Sequence, residues 1–206
     1  MAIIHRADLR PSKLELVAGW LPSRPWGVAA EPEQVAAYRF DDPAGEVGTE
    51  TFVLRAGDTL LHVPLTYRGA PVPELGEHLV GTTEHSVLGR RWCYDACADP
   101  VYVAALAEVV LTGRPQADEL VVADDGTPER RDPSARVTGS GTAEGVGPLG
   151  TPVVADSAEA TTVRAGDLEL VVRRVLDPAP TAPGATLTGT WAGQSGPVLL
   201  ATARRV

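Results

Sequence analysis

From residue 117 to the C-terminus, nearly half of the chain, no stretch carries a helical signal. Short runs rich in Val, Leu and Thr recur instead, separated by Gly, Pro and Asp. That punctuation restricts the half to short strands joined by turns. The runs cover residues 119–123, 136–139, 153–155, 161–164, 168–176, 186–191 and 198–203. Residues 178–184 (PAPTAPG) read as a loop, and the small, glycine-rich 139–150 as a mobile segment or a wide turn.

Helix signals are confined to two places in the first half. Ser12 and Glu15 fit the S-x-x-E capping box, in which each side chain satisfies a free amide at the helix start. Leu14, Val17 and Leu21 follow at helical spacing, and Pro22 ends the run. The second helix begins at Asp99 as N-cap with Pro100 at the first helical position, where no amide donor is needed. Val101, Leu106, Val109 and Val110 form its expected buried stripe, Glu108 lies outside, and Gly113 supplies the stop. Between the helices, 35–40, 51–55 and 59–68 read as strands, the last two joined by an Ala56-Gly57-Asp58 hairpin turn. Pro64 predicts an edge strand or a bulge, because proline cannot donate to a ladder. Residues 69–79 read as a Pro- and Gly-bearing connection. LRAGDTLLHV (54–63) is echoed by VRAGDLELVV (163–172), either as a duplicated hairpin or as convergence on the same turn chemistry.

Charge excludes one class of function. Eighteen basic against 27 acidic residues give a net charge of −9, whereas nucleic-acid binding needs a basic face. The pairs Arg90/Arg91, Arg130/Arg131 and Arg173/Arg174 are too small to reverse this. No apolar run approaches the roughly 20 residues of a membrane helix. The N-terminus lacks the basic start, apolar core and cleavage site of a signal peptide. The expected localisation is cytoplasmic, with neither a membrane nor a nucleic acid as partner.

The segment GTTEHSVLGRRWCYDACADPVYVAAL (81–106), with KLELVAGWLPSRPWG (13–27) and VPLTYRG (63–69) upstream, resembles the maltokinase N-terminal cap family. The motif E-H-S-V-L-G-x-R-W followed by D-P-V-Y-V carries most of the resemblance. GTWAGQSGPVLLATAR (189–204) resembles short, stand-alone actinobacterial members, some of them labelled as related to glucan branching. The resemblance implies an α+β fold: curved antiparallel sheet against two main helices, kinase-cap-like, with a β-rich C-terminal half. It implies a cap-like region over residues 1–113 and an antiparallel β region over 114–206, packed as one globular unit. In full maltokinases the cap packs on the N-terminal lobe of a kinase body and leaves ATP chemistry to that body.

Kinase chemistry has no equipment in these residues. Phosphoryl transfer of that type needs a strand lysine, a catalytic aspartate and metal-binding Asp and Asn groups. The only lysine, Lys13, falls in the first helical turn, and the chain has no asparagine, so D-x-x-x-x-N cannot occur. Neither a DFG triplet nor a phosphate-binding G-x-x-x-x-G-K-[ST] is present. A branching enzyme would pair two carboxylates on a scaffold such as a β/α barrel, for which the helices are too few. No cofactor is expected.

The remaining candidates form no convincing active site. Trp20 and Trp26 flank a helix stop and read either as an exposed sugar platform or as core aromatics. Glu84, His85, Ser86, Asp95 and Asp99 hold the residue types of a nucleophilic triad without the G-x-S-x-G elbow. Arg90, Arg91, Trp92 and Asp95 read as a patch for carbohydrate hydroxyls, or else Arg90 or Arg91 pairs with Asp95 or Asp99 to hold the helix entrance. Cys93 and Cys97 read as two buried thiols rather than a metal site or a disulfide. The candidate ligand-binding set is Trp20, Trp26, Glu84, His85, Arg91, Trp92 and Asp95. The expected function is a non-enzymatic accessory domain in α-glucan or trehalose metabolism, associating with a partner enzyme or with itself. A malto-oligosaccharide binder and an enzyme of unrecognised type are the alternatives.

Overall fold

A computed structural model describes residues 2–5, 7–122, 127–177 and 183–206. The first half supplies β1 (Ala2–His5), β2 (Leu9–Arg10), α1 (Lys13–Trp20), β3 (Pro32–Tyr38), β4 (Gly48–Ala56), β5 (Thr59–Arg68), β6 (Leu79–His85), β7 (Gly89–Asp95) and α2 (Pro100–Thr112). The second supplies β8 (Glu119–Val122), β9 (Pro128–Arg131), β10 (Ala135–Gly139), β11 (Val153–Asp156), β12 (Ala160–Ala165), β13 (Leu168–Arg173), β14 (Val175–Leu176), β15 (Ala185–Trp191) and β16 (Val198–Arg205). Among the described residues no helix follows α2, as the turn punctuation predicts. The last residue of the expected strand at 119–123 and most of the loop at 178–184 lie outside the described residues.

The chain is α+β, with antiparallel sheet curled into a half-barrel. One sheet runs β2-β6-β7-β5-β4-β3, and β14 also pairs with β5. A second runs β10-β15-β16-β13-β12-β11, and a third, β1-β8-β9, opens with a parallel pair. Alternate residues of β4 enter different cores. Phe52 and Leu54 pack with Val17, Trp20 and Trp26 from α1 and the turn after it, whereas Val53 packs with α2 and the second sheet. The first sheet is therefore covered on both faces, which explains why β4 is buried almost throughout.

Both helix starts follow their caps. Ser12 Oγ accepts the Glu15 amide at 3.2 Å, and Glu15 Oε2 accepts the Ser12 amide at 2.6 Å. Asp99 Oδ1 accepts the Val101 amide at 3.0 Å. Gly113, at φ 70°, closes α2 by donating to Val109 O. The buried stripe is wider than its spacing predicts: Val101 is half-buried, while Tyr102, Val103 and Ala107 join the core. A helix held between two sheets buries more than one face.

Two local expectations are corrected. The glycine-rich 139–150 does not begin as a free turn. Gly141 N–H donates to Val110 O and Ala143 N–H to Leu111 O, both at 2.9 Å, so the segment satisfies carbonyls at the end of α2. A Cβ at Gly139 would lie 1.9 Å from Val109 O, and one at Gly141 2.1 Å from Leu111 O. Only glycine permits that approach. Pro64, for its part, lies inside the sheet, not on an edge. β5 pairs with β4 along its whole length, while on its other side β14 covers Leu60–Leu61 and β7 covers Leu65–Arg68. His62 N–H donates to Arg174 O on that second side. Amides alternate along a strand, so Pro64, two residues on, directs its missing donor into the gap between β14 and β7.

Candidate functional site

The E-H-S-V-L-G-x-R-W motif forms the β6–β7 hairpin, with His85 paired to Gly89 across its end. His85 Nδ1 accepts the amides of Val87 and Leu88 at 3.2 and 3.1 Å, which places its ring proton on Nε2. Ser86 Oγ accepts the Asp8 amide at 3.0 Å, so His85 shapes the turn while Ser86 ties it to the approach to β2. Glu84 and Arg90 pair across the ladder at 2.6 Å in solvent. Arg91 donates to Leu88 O at 2.7 Å. What remains presented at the tip is apolar: Val87 is 56% exposed and Leu88 44%.

The two aspartates of the expected cluster lie elsewhere. Asp95 is buried and receives Arg174, fully buried, at 2.6 Å on both oxygens. Arg174 also donates to Thr161 Oγ1 at 2.7 Å, and its Cζ lies 4.5 Å from the Trp26 ring centroid. Burial opposes its charge, but the neighbouring Asp95 raises its pKa and keeps it protonated. Asp99 receives Arg68 bidentately at 2.7 and 2.8 Å. The helix entrance is therefore held by Arg68 and Arg174, not by Arg90 or Arg91. Both partners lie far away in sequence, and no local spacing points to them.

Trp20 and Trp26 are core residues. Their centroids lie 5.4 Å apart, edge to face, and Trp26 is only 2% exposed. Neither offers a sugar a free ring face, which corrects the platform reading. Trp92 is half-buried against Leu75, Tyr94 and Ala98. Cys93 and Cys97 are free and buried. Burial pushes both thiols up, Cys93 to about 12, so neither is a nucleophile near neutral pH. Among the described residues no group of three or more His, Cys, Asp or Glu could hold a metal ion.

Composition does not reveal a second polar site. A cleft of about 430 Å³ opens between α1, the β3–β4 connection and the β6–β7 hairpin, with Lys13, Arg39, Tyr67, His85 and Arg91 among its walls. Beneath it Glu50 is buried and ion-paired with both Lys13 and Arg39. Tyr67 OH donates to Glu50 at 3.2 Å, and Lys13 Nζ lies 4.9 Å from the Tyr67 ring centroid. Burial alone would raise the Glu50 pKa, but Arg39 and Lys13 more than offset it and hold the carboxyl below its ordinary value. The one signal for this site is that Lys13 is the only lysine in the chain. Of the candidate ligand-binding residues the cleft gathers only His85 and Arg91.

Among the described residues no helix is long and apolar enough to cross a membrane. No curated protein matches the chain. Residues 20–99, from the end of α1 to the N-cap of α2, match the family described as the maltokinase N-terminal cap domain, the family that the hairpin motif resembles.

Proposed function

We propose that the chain acts as a non-enzymatic accessory module of the maltokinase-cap type, by associating with an enzyme of α-glucan or trehalose metabolism. The observation that carries this reading is the state of the hairpin motif. His85 shapes its turn, Ser86 ties it to the approach to β2, Glu84 and Arg90 pair with each other, and the tip leaves Val87 and Leu88 uncovered. A motif this well formed around an exposed apolar pair suits contact with another protein. Val87 and Leu88 are already about half covered, so burying the rest contributes roughly half of the about 1.5–3 kcal/mol of a fully buried side chain, and such a pair can anchor a docking contact when polar groups surround it. The match over residues 20–99 supports a cap-type role, because in maltokinases the cap rests on a kinase lobe.

The test is sedimentation velocity of the chain alone and mixed with the catalytic body of a maltokinase-type enzyme. The expected result is a complex that Val87→Asp combined with Leu88→Asp abolishes while the fold is kept. Self-association abolished by the same pair would redirect the proposal to a second copy. A monomer that ignores the enzyme would refute it.

A further inference from the structure

The hairpin tip and the cleft beside Lys13 form one continuous surface. Leu88 belongs to both: it is exposed at the tip, and with His85 and Arg91 it makes the hairpin's wall of the cleft. The β3–β4 connection makes another wall and places Asp41, Asp42 and Glu46 at the mouth. A partner that covers Leu88 therefore comes down over those carboxylates as well.

The charge such a partner needs follows from how the charges of the cleft are already used. Its cations are committed inward. Arg39 is buried, paired with Glu50 and 3.9 Å from Glu119. Lys13 is paired with Glu50 and lies over the Tyr67 ring. Arg91 donates to Leu88 O. The acids of the mouth are turned outward instead. Glu46 is exposed, and among the described residues its carboxylate has no hydrogen-bond or ion-pair partner. Asp42 accepts the amides of Ala44, Glu46 and Val47, which satisfy its oxygens but carry no net charge. With Asp41 and the buried Glu50, the carboxylates outnumber the cations, and the excess lies at the mouth. Covering a carboxylate costs free energy unless a cation arrives with the cover, and a like charge opposite it opposes association.

We infer that the docking partner presents an apolar segment flanked by arginine or lysine. The apolar side chains cover Val87 and Leu88, and the basic group meets Asp41, Asp42 and Glu46 at the cleft mouth. The inference rests on the association proposed above and names the chemistry of the partner's contact surface. An apolar anchor inside a rim of complementary charge gives both affinity and a fast, directed encounter.

The test reads association and dissociation rates of the intact chain with the catalytic body of a maltokinase-type enzyme, between about 0.02 and 0.3 M sodium chloride. Association is expected to slow as salt rises. Glu46→Lys, at an exposed and unpaired side chain, is expected to slow it severalfold at the lower salt while dissociation changes little. Glu144→Lys makes the same change of net charge at an exposed residue beyond the end of α2, and is expected to leave the rate nearly unchanged. Equal slowing by both variants, or faster association of Glu46→Lys, overturns the inference. A complex that Val87→Asp with Leu88→Asp abolishes, but that Glu46→Lys and salt leave untouched, overturns it while the docking reading stands. No complex under any condition overturns both.

Discussion

Arg174 is the residue in which the two halves of the chain meet most closely. It arrives between β13 and β14, stacks on Trp26, bonds Thr161 and neutralises Asp95 at the end of β7. Removing one member of such a pair strands the other charge in the interior. Asp95→Ala is therefore expected to lower stability by about 3–5 kcal/mol in urea denaturation. Asp95→Leu with Arg174→Met should recover most of that loss, because a desolvated pair and an apolar pair of similar volume are nearly equivalent. His62, next to it in space, sets a pH dependence. Its Nδ1 meets Arg173 O at 2.9 Å and must donate there, so Nε2 accepts from Tyr38 OH at 2.8 Å, and the ring is neutral. Burial, reinforced by the Arg174 charge, lowers its pKa to about 4 despite the Arg173 carbonyl. The unfolded chain takes up this proton near pH 6.5 and the folded chain does not, so stability falls as pH drops from about 6.5 towards 4. The slope approaches about 1.4 kcal/mol per pH unit for this one group. Glu50, with its pKa held low, contributes stability that is lost only below its ordinary value of 4.5. His62→Gln should flatten the slope between pH 6.5 and 4.5 in pH-dependent chemical denaturation.

At the scale of elements, legibility in the sequence follows how local the cause is. Caps and turns are local, and both helices and both Gly-Asp hairpins stand where those residues place them. The echoed hairpins close on Gly57 and Gly166, at φ 60° and 65°. Each places glycine first in a two-residue turn, as a type II′ turn requires, though one lies in each large sheet. The parallel pairing of β1 with β8 depends on a distant partner, and β9 is wholly exposed, so neither leaves a hydrophobic pattern to read. β7, written GRRWCYD, turns from exposed to buried along its length instead of alternating. The glycine-rich segment misleads for the opposite reason. Composition suggests freedom, whereas its glycines mark close contact with the end of α2. Gly141→Ala drives a methyl into Leu111 O and is expected to cost about 1–3 kcal/mol, as overpacking does. Gly145→Ala, with open space around its Cβ, is expected to be nearly neutral. Thermal unfolding of the two variants side by side checks this.

At the scale of the whole molecule, the first sheet carries the hairpin tip and the cleft, and the second half supports it. α2 and the second sheet cover one face of the first, α1 covers the other, and β14 reaches across to pair with β5. The cap-domain match ends at residue 99, yet Asp95 near its end takes its orientation from Arg174, far beyond it. Of the candidate site, the sequence singles out the hairpin motif but not the cleft beside it. The cleft assembles Lys13, Arg39, Glu50 and Tyr67 from α1, β4, β5 and the end of β3, and no spacing links them. The apolar hairpin tip is proposed above as a docking surface. Hydrogen exchange tests it most directly, with the chain measured alone and in the presence of a maltokinase-type catalytic body. The account predicts slowed exchange across residues 84–92, centred on Val87 and Leu88. A complex that leaves those amides exchanging as in the free chain would contradict it.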